Sequence, residues 1–351
     1  MTQSSVTDSS IPSAGTPPND ASPATGNVGQ TQSLWQRYVA FWNEQESPQS
    51  LALCRITFGL AVVFNGLEQL LNSNPLELYA DPAYGGIFSY QPQGFFSLFQ
   101  WLPSTAVVVY VLLGLYVMGG VLLTIGLFSR AAALLCLVLQ MSLNARFWMY
   151  RFDGDIVYQV FLYLFVLAPA GAYASMDARW RGRGRASIPA WPRRLIMAQL
   201  MFIYVRTGIV KMGSTWSLTD GYSALYYALN LPGLARWPGT WLLPIYPMSQ
   251  LATFIAKGWE ITFFMVPLSL YFQRRITPNP LRRLISWHHW RTLYLLIGCI
   301  MHCSLVVLMN LGMFPFVMMS LYPSYLRPEE AARCFPKDGL SRPSAEGSSA
   351  L

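Results

Sequence analysis

The stretch IPAWPRRLIMAQLMFIYVRTGIVKMGSTWSLTDGY, from Ile188 to Tyr222, decides how the rest of the chain is organised. It carries two arginines near its start, continues as an apolar run that ends at Val210, and places Lys211 directly after that run. A helix rises about 1.5 Å per residue, so the segment from Trp191 to Lys211 is long enough to cross a bilayer. An ionisable group at such a place costs free energy and is usually kept for a functional reason. Lys211 is therefore the first candidate for chemistry.

Helical spacing places Lys211 on one face with Tyr204 and Gly208, which precede it by seven and three residues. Arg206 lies about 140° away round the helix, at about 100° per residue, so one partner does not serve both cations. Two interpretations of the lysine stay open. It is either a reactive amine or a snorkelling side chain that rests its stem in lipid and holds its ammonium in the interface.

The composition is that of a polytopic membrane protein. Hydrophobic residues make up 53% of the chain and charged residues 11%, whereas ordinary soluble domains contain about 25% charged residues. The net charge of +8 and the run RWRGRGR, from Arg179 to Arg185, are also compatible with nucleic-acid binding. Because the run connects two apolar segments, a cytoplasmic retention signal explains it better, and we expect no nucleic-acid partner.

The cysteines do not indicate a disulfide framework, because four of the five lie inside apolar runs and the fifth, Cys334, lies in the C-terminal tail. Cys299, His302 and Cys303 are close enough on one helix to suggest a metal site. No fourth ligand of matching spacing accompanies them, so we expect no bound metal.

Apolar segments along the chain predict an all-α helical bundle, a polytopic integral membrane protein with about eight spans. The predicted spans are Leu51–Leu71, Thr105–Phe128, Ala131–Leu143, Ile156–Ala172, Trp191–Lys211, Leu251–Tyr271, Leu293–Met309 and Gly312–Leu326. Aromatic segments from Leu34 to Trp42 and from Gly213 to Gln250 predict interfacial helices, and the second segment would form a cap over the bundle.

The distribution of arginine predicts the orientation of these spans. Basic connections follow the second, fourth and sixth spans, whereas the long loops after the first and fifth are poor in lysine and arginine. By the positive-inside rule both termini are expected in the cytoplasm. The protein itself would lie in the cell membrane, which is the bacterial cytoplasmic membrane if the source is prokaryotic. Residues 1–32 are expected to form a disordered tail, residues 33–326 the membrane domain, and residues 327–351 a short tail. Lys211 then faces the outer side.

Four charged residues inside the predicted spans need partners: Arg55, Arg206, Lys257 and Glu260. A lipid-facing charge at mid-depth is expensive, so we expect Arg55, Arg206 and Glu260 to point into the bundle, with at least one arginine against a carboxylate. Lys257 and Glu260 are three residues apart on one helix face and could pair with each other.

The residues Tyr204, Gly208, Lys211 and Trp216 form the pattern YxxxGxxKxxxxW, and Asp-Gly-Tyr follows at residues 220–222. With this pattern the chain resembles the membrane region of the vitamin K-dependent gamma-carboxylases, and specifically the group called HTTM, the horizontally transferred transmembrane domain. Further matching blocks are ALCRITFG, GAYASMDA, IPAW, and His302 followed ten residues later by GMFP. Together these blocks cover nearly all of the predicted spans.

This resemblance implies that Lys211 is the base that deprotonates a vitamin K-like hydroquinone, with His302 as a second catalytic residue. Tyr204, Gly208 and Trp216 would then bind this quinone-like lipid. In the carboxylases, oxygenation of the deprotonated quinol supplies a stronger base, which removes a proton from a glutamate side chain so that CO2 can add. A desolvated lysine suits the first step, because burial disfavours the ammonium form.

Two functional interpretations follow. In the first, the bundle is a carboxylase-like, lyase-type enzyme core that uses a quinone-like lipid. Because the carboxylases continue into a large exoplasmic part and this chain ends soon after its eighth predicted span, a separate partner protein would bind the substrate. In the second, the bundle is a non-catalytic lipid-binding or assembly protein that keeps the lysine for structure. A transporter is a weaker third alternative, because repeated halves and paired broken helices are not evident.

Overall fold

The computed structural model describes residues 33–87, 96–146, 153–182, 184–273, 280 and 288–335. The tail predicted for residues 1–32 lies outside the described residues. So do residues 147–152, which contain part of the charged segment before the fourth predicted span, and most of the basic connection after the sixth. The predictions made for these segments therefore stay predictions.

The chain divides into a unit up to Ala40 and a unit from Phe41 onward. In the first unit the described residues are the start of an aromatic helix with no buried residue, in which the rings of Trp35 and Tyr38 stack with their centroids 5.6 Å apart. The second unit contains the helical bundle, and all that follows concerns this unit.

The described residues are mostly helical. The helices are α1 Leu34–Asn43, α2 Gln49–Leu71, α3 Pro75–Tyr79, α4 Ala106–Ile125, α5 Ser129–Arg146, α6 Asp153–Leu167, α7 Met176–Trp180, α8 Trp191–Val210, α9 Ala224–Ala228, α10 Tyr246–Thr262, α11 Met265–Gln273, α12 His288–Leu308, α13 Phe314–Ser320 and α14 Pro328–Ala331. Two short strands, β1 Gln45–Glu46 and β2 Ile188–Pro189, pair antiparallel just before α2 and α8. Short 3-10 turns lie between several of the helices.

Three helices in the described part of the chain are long and apolar enough to cross a membrane, namely α2, α4 and α12, and the bent pair α10 and α11 makes a fourth candidate. The predicted all-α, membrane-spanning character is confirmed. The other four predicted spans depart from this standard for different reasons: α5 contains two arginines, a glutamine and an asparagine, α8 carries three arginines, α6 has 15 residues, and α13 has only 7. The number of eight spans stays a prediction.

The sixth predicted span, Leu251–Tyr271, is broken in the structure. The helices α10 and α11 meet at an angle of 46°. Pro267 lies in the first turn of α11 and has no N–H to donate to the carbonyl of Phe263, so the α10 ladder does not continue into α11. The sixth predicted span is therefore bent at this point, and Pro267 was the signal for the bend.

The helices α2, α8 and α12 all begin at the same end of the bundle. The strands β1 and β2 join the starts of α2 and α8. Near the start of α12, Arg291 donates to the carbonyl of Tyr325 at 3.5 Å, and the Tyr325 hydroxyl donates to the carbonyl of Met197 at 2.8 Å. We call this the arginine end, after Arg193 and Arg291, and the opposite end the Lys211 end.

Close backbone contact between α2 and α4 builds the centre of the bundle. A Cβ added to Gly59 would lie 2.8 Å from the backbone nitrogen of Thr124, and one added to Gly120 would lie 3.0 Å from that of Val63. Small residues at such crossings let membrane helices pack by van der Waals contact, which replaces the hydrophobic effect in lipid. Phe58 of α2 is fully buried beside this crossing.

Candidate functional site

The end of α8 presents Lys211 to a buried carboxylate. Lys211 is the first residue after α8, and its Nζ donates to both carboxylate oxygens of Glu260 in α10. The Lys211 side chain is 23% exposed and that of Glu260 is 10% exposed. Such a pair is held where water competes weakly, so each charge depends on the other for its stability.

Trp216 covers the amine from the other side. The Lys211 Nζ lies 4.6 Å from the centroid of the Trp216 ring, within the range of a cation–π contact. The carbonyl of Trp216 accepts a hydrogen bond of 2.9 Å from Lys257 Nζ, which ties the 3-10 turn Ser214–Trp216 to α10. Lys257 therefore positions Trp216. The expected pairing of Lys257 with Glu260 was wrong, because Lys211 arrives from α8 and takes that carboxylate.

Gly208 allows α8 to approach α10 closely. A Cβ at this position would lie 2.8 Å from Cγ1 and 2.9 Å from the backbone nitrogen of Ile261, so no larger residue fits without separating the helices. The same approach brings Lys211, three residues later on the same face of α8, to Glu260. In the structure Gly208 thus acts as a packing residue beneath the ion pair.

A second polar cluster lies deeper on the same face of α8. The Tyr204 hydroxyl lies 2.8 Å from Nε2 of His302 in α12 and 2.9 Å from the hydroxyl of Tyr322, which follows α13. The Tyr204 ring packs edge-on against Trp259, with centroids 4.7 Å apart. His302 is 1% exposed, and its Nδ1 has no hydrogen-bond partner among the described residues.

These two clusters are separate layers of one interface. Tyr204 precedes Lys211 by seven residues, which corresponds to about 10.5 Å along a helix. His302 is bonded to Tyr204 and therefore does not sit beside the amine of Lys211. Two cavities, of about 830 and 600 Å³, are formed by the described residues, and neither has Lys211 or His302 in the described part of its wall. Neither cavity therefore brings together the two residues that the resemblance implies to be catalytic.

With this geometry in place, comparison with known families identifies the chain. The model of the HTTM domain matches residues 43–329. The chain belongs to the HTTM family. The match includes all helices from α2 to α13, so both polar clusters lie inside the HTTM domain. No solved structure matches the chain.

The buried arginine of the HTTM domain, Arg55, donates to carbonyl oxygens through both terminal nitrogens, whereas its Nε has no partner among the described residues. Its guanidinium is fully buried and donates to Ala170 at 2.9 Å and to Ala174 at 2.6 Å. The prediction that Arg55 and Glu260 are buried inside the bundle agrees with the structure, although Arg55 contacts carbonyl groups in place of a carboxylate. Arg206 is exposed, so the inward orientation expected for it was wrong. It lies on α8 away from the face that packs on α10.

Ion pairs stabilise the ends of the HTTM domain. They are formed by arginines whose partners the sequence did not indicate. The pairs are Arg146 with Asp81, Arg193 with Glu46, Arg194 with Glu44, and Arg291 with Glu330. The Arg193–Glu46 pair is bidentate, with distances of 2.7 and 2.6 Å, and both side chains are buried. Each partner is far away in sequence, so no local pattern revealed these contacts.

Tyr322 was also missed, although its setting gave a signal. The sequence YPSY places two tyrosines in an otherwise apolar segment after α13. A buried tyrosine normally finds a hydrogen-bond partner, so a tyrosine in such a segment indicates a polar contact within the bundle. In the HTTM domain that partner is Tyr204.

Proposed function

We propose that the Lys211–Glu260 pair is the reactive centre of a membrane enzyme with carboxylase-like, quinol-dependent chemistry. The observation that carries this proposal is the position of the Lys211 amine, held between a buried carboxylate and the face of Trp216. An intramembrane ion pair is costly to keep, and a lysine whose proton can move to a neighbouring carboxylate is suited to act as a base.

The surroundings of Lys211 suit a quinone-like lipid. Val210 and Met212 are the sequence neighbours of Lys211 and are 50% and 76% exposed, so they offer apolar surface to a ring or an isoprenoid chain. Trp216 offers an aromatic face beside the same amine. A bound hydroquinone would supply an acidic hydroxyl group and, once deprotonated, an electron-rich ring.

Glu260 prepares Lys211 for proton transfer in this proposal. In the ion-paired form the Lys211 ammonium has no lone pair and cannot accept a proton. Transfer of one proton from Nζ to the Glu260 carboxylate leaves a neutral amine and a neutral acid, and a low-dielectric setting favours neutral forms. The amine of Lys211 then takes the proton of the bound hydroxyl group and becomes an ammonium again. Trp216 and Gly208 hold the amine in place during this exchange.

The deeper cluster supports this centre. His302 and Tyr322 hold the hydroxyl of Tyr204, and Tyr204 packs on Trp259, the residue before Glu260. We propose that His302 acts through this contact, by keeping α8 and α10 in register at the ion pair. The spare Nδ1 of His302 gives it a further hydrogen-bonding position.

The test of this function uses Lys211→Arg, because arginine keeps the ion pair with Glu260 but does not give up its proton. The purified protein is given a reduced menaquinone-type quinol, and oxygen uptake is measured. Wild type and the control Arg206→Gln, which changes an exposed residue, should consume oxygen, whereas Lys211→Arg should not. Mass spectrometry of lipids that co-purify with wild type should find a quinone. Absence of both quinone and uptake in wild type would overturn the proposal.

A second candidate function is a non-catalytic lipid-binding or assembly protein, and one observation favours it. Lys211 already contacts both carboxylate oxygens of Glu260 and the ring of Trp216, so its ammonium has a structural role that requires no reaction. Under this alternative, Lys211→Arg keeps every function of the wild type. The oxygen-uptake experiment therefore separates the two candidates. In either case we propose that a separate protein holds any protein substrate.

We also propose the membrane arrangement: eight spans in the cell membrane, residues 33–326 as the membrane domain, and cytoplasmic tails at residues 1–32 and 327–351. The shared direction of α2, α8 and α12, the first, fifth and seventh predicted spans, supports this, because alternate spans must run in parallel. Reporter fusions after Gly94 and after Arg185 should report the outer and the cytoplasmic side, respectively. Reports from the same side would contradict the arrangement.

A further inference from the structure

The larger cavity, of about 830 Å³, lies at the arginine end of the bundle, between α8 and α11. The segments 41–47 and 327–329 also line it, and we call the part that they form the mouth of the cavity. Cavities of this size commonly hold organic ligands. None of Lys211, Glu260 and His302 is among the described residues of its wall, so this cavity is separate from the two polar clusters.

The inner part of the cavity is apolar. Met197 and Met201 line it from α8, and Pro267 and Leu270 line it from α11, which is turned by 46° from α10. Arg193 and Met201, which both line the cavity, are eight residues apart, or about 12 Å along a helix. The cavity therefore reaches well into the predicted span, where a bilayer supplies acyl chains. Flexible methionine side chains adapt to such irregular apolar ligands.

Phe41 connects the two helical walls at the mouth. The guanidinium of Arg194 in α8 lies 4.1 Å from the centroid of the Phe41 ring and also donates to the Phe41 carbonyl. The same ring meets the ring of Tyr271 in α11 edge-on, with centroids 6.5 Å apart. Aromatic side chains are typical of the membrane–water interface. The cavity thus passes from an apolar interior to a polar mouth, which is the polarity profile of an amphipathic lipid.

Two arginines of the cavity wall are neutralised within the protein. Arg193 is paired with Glu46, and Arg194 is paired with Glu44. Because each of these guanidinium groups already contacts a carboxylate, neither offers an unpaired charge to a ligand.

Arg327 is an exposed arginine of the mouth that has no carboxylate partner in the part of the chain that the structure describes. Its guanidinium donates to Oε1 of Gln273, a neutral amide at the end of α11, and this contact holds the guanidinium at the mouth. The neighbouring carboxylate of Glu330 is bound by the guanidinium of Arg291 and by the backbone N–H of Arg327. A planar guanidinium recognises phosphate oxygens through paired hydrogen bonds, so Arg327 suits a phosphate group.

Glu329 places a carboxylate beside Arg327 at the mouth. It is exposed and forms no ion pair with any residue described. Arg327 and Glu329 are two residues apart and have opposite charges, so together they add no net charge. Such a pair complements a head that carries both a phosphate and an ammonium group better than it complements a purely anionic head.

We infer that this cavity binds a phospholipid with a zwitterionic phosphate–ammonium head, taken from the leaflet at the arginine end. One acyl chain lies between α8 and α11, along Met197 and Met201. The phosphate accepts hydrogen bonds from Arg327, and the ammonium group faces Glu329. This inference does not depend on the function proposed for Lys211.

Recognition of the phosphate is tested by native mass spectrometry of the purified full chain. The protein is titrated with phosphatidylethanolamine or with a diacylglycerol that has the same acyl chains and no phosphate. Wild type should retain phosphatidylethanolamine at about tenfold lower concentration than the diacylglycerol. Arg327→Gln should remove this difference, whereas the control Arg333→Gln, at an exposed arginine six residues later, should keep it. Equal retention of the two lipids by wild type would overturn the inference.

The zwitterionic head and the need for a chain are tested in the same titration. Wild type should prefer phosphatidylethanolamine to phosphatidylglycerol, and Glu329→Gln should abolish this preference. Glycerophosphoethanolamine, which is the head without acyl chains, should not displace the lipid at equal concentration. A wild type that prefers phosphatidylglycerol, or displacement by the chain-free head, would contradict the assignment.

The position of the acyl chain is tested with a phosphatidylethanolamine that carries a photoreactive diazirine in its chain. Met197 lines the cavity and is 8% exposed, whereas Phe202 on the same helix is 60% exposed and reports contact with bulk lipid. Mass spectrometry should find adducts on both residues in wild type. Ala198→Phe, which fills the cavity, should lose the Met197 adduct and keep the Phe202 adduct. The control Ala131→Phe, at an exposed position in α5, should keep both.

The Phe202 adduct also shows that each variant is still inserted in lipid, and gel filtration confirms that each is folded. Adducts on Phe202 without any on Met197 in wild type would overturn the inference. So would a Met197 adduct that persists unchanged in folded Ala198→Phe.

Discussion

Replacing Lys211 by an apolar residue of similar length should destabilise the HTTM domain, because Glu260 would be left buried without its partner. Glu260 is 7% exposed, and Lys211 supplies the only hydrogen bonds to its carboxylate among the described residues. Loss of one partner from a buried ion pair costs about 3–5 kcal/mol, and we expect about 3 kcal/mol because the Lys211 side chain is 23% exposed. At an unfolding entropy of about 2.1 cal/mol/K per residue, this corresponds to a fall in Tm of about 4 °C.

The assay is a cycle of three variants, Lys211→Met, Glu260→Leu and the double variant, with thermal stability measured by fluorescence-detected gel filtration after heating. Lys211→Met should be the least stable. Glu260→Leu should lose less, because the free ammonium can turn toward solvent. The double variant should return close to wild type, since apolar replacement of a buried pair is often neutral. The reasoning is refuted if Lys211→Met melts within 1 °C of wild type, or if the double variant is no more stable than Lys211→Met.

Two further predictions concern packing and pH. Gly208→Ala should lower stability by about 1–3 kcal/mol, because the added methyl group meets Ile261. In the control Gly258→Ala, in α10, the added methyl group meets nothing within 4 Å, so this variant should be neutral or stabilising. Similar melting of both variants would contradict the close approach of α8 to α10. Burial tends to raise the pKa of Glu330, but hydrogen bonds from Arg291 and a backbone N–H hold that pKa below its ordinary value of 4.5. The Arg291–Glu330 pair therefore stabilises the fold above about pH 4.5 and loses this effect as the pH falls through the lowered pKa. Glu330→Gln should melt earlier than wild type at pH 7, with a difference that shrinks at acid pH, and a constant difference would refute this.

The helical faces could be predicted from the sequence because they depend on local periodicity. Tyr204, Gly208 and Lys211 share a face at helical spacing, and in the structure all three contact partners through that face. Arg55 was expected inside for reasons of cost and is fully buried. These expectations needed only the spacing along one helix and the expense of a charge in lipid.

The partners across the bundle could not be predicted in this way. Glu260 is 49 residues from Lys211 in sequence, and its local neighbour Lys257 was the more obvious choice. The same is true of Asn65 and Gln140, whose side chains meet inside the bundle across 75 residues. A single polar residue in an apolar helix indicates that it has a partner, but only the packing of the helices decides which.

The most direct test of the account is the quinol-dependent oxygen uptake of Lys211→Arg measured beside wild type. The substitution keeps a cation against Glu260 and the Trp216 ring, so the fold and melting temperature should stay close to wild type. General base catalysis typically contributes 10²–10⁴-fold, so we predict that the uptake falls by about 100-fold or more. Full uptake by a folded Lys211→Arg protein would contradict the account and leave Lys211 as a structural partner of Glu260.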